Sequence, residues 1–118
     1  MCNLQNYDEQ LNQVTSFLDM SFIYGSNIYT STQIRAFSGG RLKSVTRNGQ
    51  EWPPNEVIVK AVCPRAESSS SKCYKMGDER TNQTPQLTSV QIMFWRDHNR
   101  KADIVAKLNP SWSDEVIY

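Results

Sequence analysis

Three stretches of this sequence carry residue types that can do chemistry. The first is the polar loop Gly77-Asp78-Glu79-Arg80. Its guanidinium is always charged and offers N–H donors in a fixed fork, suited to an oxygen on which negative charge develops. The plainer reading of a loop arginine is a surface ion pair. The second stretch is Thr15 to Ser21, where Thr15, Asp19 and Ser21 supply side-chain oxygens at even spacing. Backbone carbonyls such as those of Thr15 and Phe17 can join them, and such an all-oxygen wrap suits Ca²⁺, which takes six to eight ligands at about 2.3–2.6 Å. The alternative there is a plain helix, because Leu11, Val14, Phe17, Leu18 and Phe22 recur at helical spacing up to Gly25-Ser26-Asn27. The third is Cys63 and Cys73, which bracket a polar loop containing Ser68 to Ser71. They are either a disulfide, with a contribution of roughly 2–3 kcal/mol from closing a short loop, or buried free thiols.

These residues need support, and the sequence provides one strong element. Thr84 is a good N-cap and Pro85 suits the first helical position. Leu87, Val90, Phe94, His98, Ala102, Val105 and Leu108 then recur in steps of three or four, with Arg96, Arg100, Asp103 and Lys107 on the opposite side. Asn109-Pro110 stops the pattern. That predicts a helix of about 24 residues, roughly 36 Å long, with one buried stripe and one wet one. Arg80 lies in the loop at its start.

The remaining elements are short. Thr30 to Phe37 reads as a helix capped by Ser31 or Thr32, with Ile34 and Phe37 as its buried edge and Gly39-Gly40 ending it. Arg41 to Val45 reads as a short strand, Arg47-Asn48-Gly49 as a tight turn and Trp52-Pro53-Pro54-Asn55 as extended loop. Val57 to Val62 reads as a brief strand or an apolar anchor. Ser111 to Glu115 carries the capping residues and acidic first turn of a new helix. The expected fold is mainly α, with one long helix, short helices, long loops and little strand.

Bulk properties narrow the partners. The 118 residues carry a net charge of +1, which gives no electrostatic case for nucleic acid or an anionic membrane. No run of apolar residues is long enough to span a bilayer. No leader pattern is visible at Met1-Cys2-Asn3-Leu4-Gln5, and neither an internal repeat nor a domain boundary is apparent.

Gly-Asp-Glu-Arg-Thr-Asn-Gln-Thr-Pro-Gln-Leu-Thr, followed by Arg96-Asp97-His98-Asn99-Arg100, closely resembles the animal haem peroxidases. Leu11 to Ser26 looks like the calcium loop of the same family, and Phe37 to Lys43 is similar to its invertebrate members. The resemblance covers nearly the whole chain and implies an internal fragment of a peroxidase domain, residues 1–118, running from the calcium loop through the distal-arginine helix. It implies haem b, with the distal histidine upstream of Met1 and the proximal iron ligand downstream of Tyr118. Arg80 matches the distal arginine. The implied reaction uses hydrogen peroxide to oxidise a small reducing substrate, a phenol or tyrosine. Thr15, Phe17, Asp19 and Ser21 match the calcium ligands, with a further aspartate outside the chain.

The resemblance also implies a Cys63–Cys73 disulfide, a partner for Cys2 in upstream sequence, and a secreted, extracellular protein. His98 matches a structural histidine rather than an iron ligand. Gln83 stands where mammalian relatives have a glutamate esterified to haem, and Thr84 where one has a methionine bonded to a vinyl group; neither offers that covalent chemistry. Gln83 is therefore expected to hydrogen-bond near the haem edge, and phenol oxidation is favoured over chloride oxidation. Met20, Gln91 and Asp97 are smaller departures. Asn82-Gln83-Thr84 spells a glycosylation sequon, expected to be buried and unmodified. The isolated chain is expected to be inactive. The alternative to an enzyme is an adhesive protein that kept this fold and lost catalysis.

Overall fold

The computed structural model describes residues 15–56 and 73–118. Their elements run α1 (Ser21–Tyr24), α2 (Ile28–Ile34), β1 (Val45–Arg47), β2 (Gln50–Trp52), a 3₁₀ turn (Glu79–Asn82), α3 (Pro85–Leu108) and α4 (Asp114–Ile117). Cys2, Cys63, the Val57–Val62 segment and residues 11–14 of the Leu11–Ser26 stretch lie outside the described residues.

α3 has the expected ends. Thr84 Oγ accepts the Leu87 N–H at 3.3 Å, Pro85 opens the helix, and Asn109 closes it after 24 residues. Its buried face overlaps the expected stripe only in part, at Ala102 and at the half-buried Leu87, His98 and Val105. Gln91, Ile92, Trp95, Asn99 and Ala102 are buried, whereas Val90, Phe94 and Leu108 are exposed. Elsewhere the stripe is turned by one to two residues, because α3 packs on α1, the 3₁₀ turn, β2 and α4. Arg96, expected on the wet side, is half-buried over the Trp52 ring at 4.4 Å and donates to the Glu51 carbonyl.

The core gathers Ile23, Ile34, Leu42, Met76, Ile92 and Trp95, one or two residues from almost every segment. Asn99 completes it with a polar clamp: its side-chain oxygen accepts from Leu42 N–H at 2.8 Å and its amide nitrogen donates to Leu42 O at 3.2 Å. That pairing satisfies the Leu42 N–H and C=O, while the neighbouring Arg41 O and Lys43 N–H bond to Ala36 N–H and Ile34 O.

α2 starts earlier than expected, because Asn27 and not Ser31 or Thr32 is the cap, accepting the Thr30 N–H at 2.9 Å. It also ends earlier. Arg35 is extended, and the chain reverses through Phe37, Gly39 and Gly40, all at positive φ, leaving Phe37 exposed. The Arg41–Val45 strand reduces to a single bridge, Arg35 to Leu42. Real pairing begins at Val45, opposite Trp52, across a turn whose central residues Asn48 and Gly49 have φ 51° and 73°. Two left-handed residues give the turn twist that a tight hairpin requires. α4 starts at Asp114 as expected and rests on Gly40, where a Cβ would lie 2.5 Å from Ile117 Cγ2.

Candidate functional site

Gly77 begins the site. A Cβ at this position would lie 2.3 Å from Gly25 N and 2.6 Å from Ser21 O, so only glycine lets the backbone before Arg80 touch α1. Asp78 then caps the 3₁₀ turn by accepting from Arg80 N–H at 2.7 Å. Its two carboxylate oxygens also receive Arg80 Nε at 2.9 Å and Nη2 at 2.7 Å, a planar fork. The Arg80 contact holds the Asp78 carboxyl below the usual carboxylate range, and the carboxylate raises the guanidinium in turn.

The turn is pinned from below. Thr81 is fully buried, with Oγ 2.6 Å from both the Asp78 carbonyl and the Gln91 side-chain oxygen. Thr88 Oγ donates to Thr81 O at 2.6 Å. The Asn82 amide pairs both ways with the Tyr74 backbone, at 2.8 and 2.9 Å. That double pairing occupies the sequon asparagine, which was expected to be buried and is half-buried.

Arg80 itself is half-exposed, 53% for its side chain. It borders a cleft of about 370 Å³ whose walls are Phe22, Asp78, Arg80, Gln83, Leu87, Val90 and Gln91. Gln83 is thus at the same mouth as Arg80. Phe22 comes from α1, so the stretch after Thr15–Ser21 and the Arg80 turn share one cavity. Phe17, Leu18, Val90, Met93 and Phe94 stand exposed on the same segments. The sequence reading placed Phe22 only in a helical stripe and Gln91 only among departures from the family, and it did not single out Thr81. A buried glutamine and a buried threonine ten residues apart give no periodic signal, because their pairing spans a turn and a helix.

Over Thr15–Met20 the chain is not helical; it bends, and Met20 takes φ 59° before α1 begins. Thr15 Oγ accepts from Phe17 N–H at 3.1 Å and Asp19 Oδ1 from Ser21 N–H at 3.0 Å. The Ser21 N–H holds the exposed Asp19 carboxyl below its ordinary value. Among the described residues no three His, Cys, Asp or Glu side chains converge, so the Thr15–Ser21 oxygens offer a single carboxylate. Cys73 is buried and disulfide-bonded. His98 is engaged at both nitrogens, with Tyr24 Oη 3.0 Å from Nδ1 and Gly40 O 2.8 Å from Nε2, as befits a structural histidine.

The family description "Animal haem peroxidase" matches residues 1–118. The chain belongs to the animal haem peroxidases. It is 43% identical over 110 residues to a peroxidase of Drosophila melanogaster, covering 93% of this chain and 16% of that protein. Against the chorion peroxidase of the same fly it is 44% identical over 117 residues, 99% of this chain and 14% of the relative. It is 31% identical to the solved structure of peroxidase A from Dictyostelium discoideum, with a TM-score of 0.75 over 92% of this chain and 22% of that one. The mainly α fold is therefore a peroxidase fold, and this chain spans well under a quarter of the length of these relatives. Haem is the group that this family implies, and the lining of the cleft is compatible with it: Phe22, Leu87 and Val90 give apolar walls, and Arg80 and Gln83 place hydrogen-bond donors at the mouth.

Proposed function

We propose that residues 1–118 form one partial domain of a secreted, extracellular haem peroxidase, in which hydrogen peroxide is used to oxidise phenolic or tyrosyl donors. The observation that carries this reading is the Arg80 guanidinium, forked onto Asp78 at the mouth of an apolar cleft. Phe22, Leu87 and Val90 would hold the haem face, with Arg80 and Gln83 at its polar side. Bound haem supplies the iron that reacts with peroxide. Arg80 then orients peroxide and stabilises the negative charge that develops on its departing oxygen, a preorganised contribution because Asp78 has already fixed the fork. Gln83 donates a hydrogen bond and forms no ester, since an amide lacks the carboxylate. That absence favours phenols over chloride as donors.

Two further proposals belong to the same reading. Thr15, Phe17, Asp19 and Ser21 bind Ca²⁺ together with an aspartate from another part of the protein, which agrees with a single carboxylate among bent, oxygen-rich backbone. Cys73 pairs with Cys63, and Cys2 pairs upstream. The full-length protein reconstituted with haem is expected to show a Soret band and peroxide-dependent formation of dityrosine from free tyrosine. A Soret band without any peroxide-dependent oxidation of tyrosine or guaiacol would refute the enzymatic reading. The 118-residue chain alone is expected to bind no haem.

A further inference from the structure

The aromatic contacts of α1, α3 and α4 form a row leading away from the cleft. Phe22, on the cleft wall, meets Phe94 edge-on with centroids 6.0 Å apart. Two residues along α1 and one turn along α3, Tyr24 meets His98 edge-on at 5.4 Å. Tyr118 closes the row at 6.1 Å from Tyr24 and 5.6 Å from His98. At the second rung the hydrogen bonding is directional. Gly40 O, 2.8 Å from Nε2, can only accept, so Nε2 carries the ring proton. Nδ1 is then the bare nitrogen that accepts from Tyr24 Oη at 3.0 Å. Burial pushes the Tyr24 phenol up and His98 down, so the resting pair is neutral on both sides at pH 7.

We propose that Tyr24 and His98 are a redox-active pair, in which Tyr24 yields one electron to an oxidant in the cleft while its proton passes to His98. In this step the Tyr24 O–H bond breaks and an N–H bond forms at Nδ1. The products are a neutral tyrosyl radical and an imidazolium whose Nε2–H still donates to Gly40. An electron from a phenolic donor, with the proton returning from Nδ1, restores the pair. The oxidant is the peroxide-oxidised haem, so this inference rests on the peroxidase reading above.

Three other rings, Trp52, Tyr74 and Tyr118, are less suited to lose an electron. Trp52 and Tyr74 are stacked, but Arg96 lies 4.4 Å over Trp52 and Arg47 lies 5.7 Å over Tyr74. A cation on the ring face opposes removal of an electron. Tyr118 has Arg35 4.1 Å from its ring centroid, and its buried hydroxyl finds no acceptor among the described residues. Of these rings, Tyr24 alone has a base waiting for its proton.

The test uses flash-generated ruthenium(III) tris-bipyridine, a one-electron oxidant that needs no haem, on the full-length protein, with detection by electron paramagnetic resonance. A tyrosyl doublet is expected in the wild type and its loss in Tyr24→Phe. His98→Gln keeps a donor for Gly40 but offers no base, and should slow radical formation by about a hundredfold. Formation in the wild type should also slow in D₂O, a readout that needs no variant. A doublet of wild-type size in Tyr24→Phe, or a rate indifferent to both His98→Gln and D₂O, overturns the proposal. The haem-loaded protein mixed with hydrogen peroxide should give the same doublet. If the Soret band responds to peroxide and the doublet is absent, the pair is overturned and the peroxidase reading stands. If the Soret band never responds but the flash doublet depends on Tyr24 and His98, the peroxidase reading fails and the pair stands.

Discussion

The guanidinium of Arg80 gains its direction from one neighbour, the Asp78 carboxylate that it grips through Nε and Nη2. Asp78→Asn keeps an acceptor for the Arg80 N–H but loses the charged fork. The expected outcome in the full-length peroxidase is a slower reaction with peroxide by about tenfold, from lost positioning of the guanidinium. Stopped-flow absorbance of the Soret band measures it, and an unchanged rate would show that Asp78 only shapes the turn. His98 gives a second prediction at this scale. Burial lowers its folded pKa, so below the ordinary value near 6.5 the unfolded chain takes up protons more readily than the folded one. Stability is therefore full above about pH 6.5 and falls as pH drops towards the folded value. Urea midpoints between pH 7.5 and 5 should decline in the wild type, and this histidine's share of the decline should vanish in His98→Gln.

Elements matter here through where they touch. Gly77 brings the Arg80 turn against α1, with a Cβ position 2.3 Å from Gly25 N and 2.7 Å from Ile23 C, both backbone atoms that cannot rotate aside. Gly77→Ala should therefore push the turn off α1 and cost roughly 1–3 kcal/mol, read as a lower urea midpoint together with a slower peroxide reaction. A variant with wild-type stability would contradict the close approach. The ends of α3 were legible in the sequence because Thr84, Pro85 and Asn109-Pro110 act through local backbone chemistry. Its buried face was not, because Ile92 and Trp95 are chosen by what packs against them, and a stripe through Val90, Phe94 and Leu108 fits the helical period equally well. α2 shifted for a similar reason. Asn27, Ser31 and Thr32 all have capping side chains, and the choice among them depends on where Gly25 lets the chain turn. The place of Arg80 just ahead of α3 was legible, because the Thr84-Pro85 start of the helix fixes it. The Thr81–Gln91 contact beneath it was not, because a hydrogen bond between two buried polar side chains leaves no pattern in either segment alone.

At the scale of the molecule, an apolar surface surrounds the cleft. Phe17, Leu18, Val90, Met93 and Phe94 are exposed, and they cluster on the segments that also carry the cleft residues Phe22, Leu87 and Val90. On the reading proposed, haem and the remainder of the peroxidase cover this apolar surface, which accords with a chain that matches 14–16% of its fly relatives. Removing calcium from the full-length protein should then loosen the Thr15–Ser21 bend next to α1, and the Soret response to peroxide should weaken on chelation and recover when calcium is restored. On the proposed reading the cleft is a peroxide site and Arg80 its charge-stabilising group. The most direct measurement is the second-order rate at which the haem-loaded, full-length protein reacts with hydrogen peroxide, compared between the wild type and Arg80→Leu. A fall of about a hundredfold or more is expected with the haem still bound, whereas a rate within twofold of the wild type would contradict that role for Arg80.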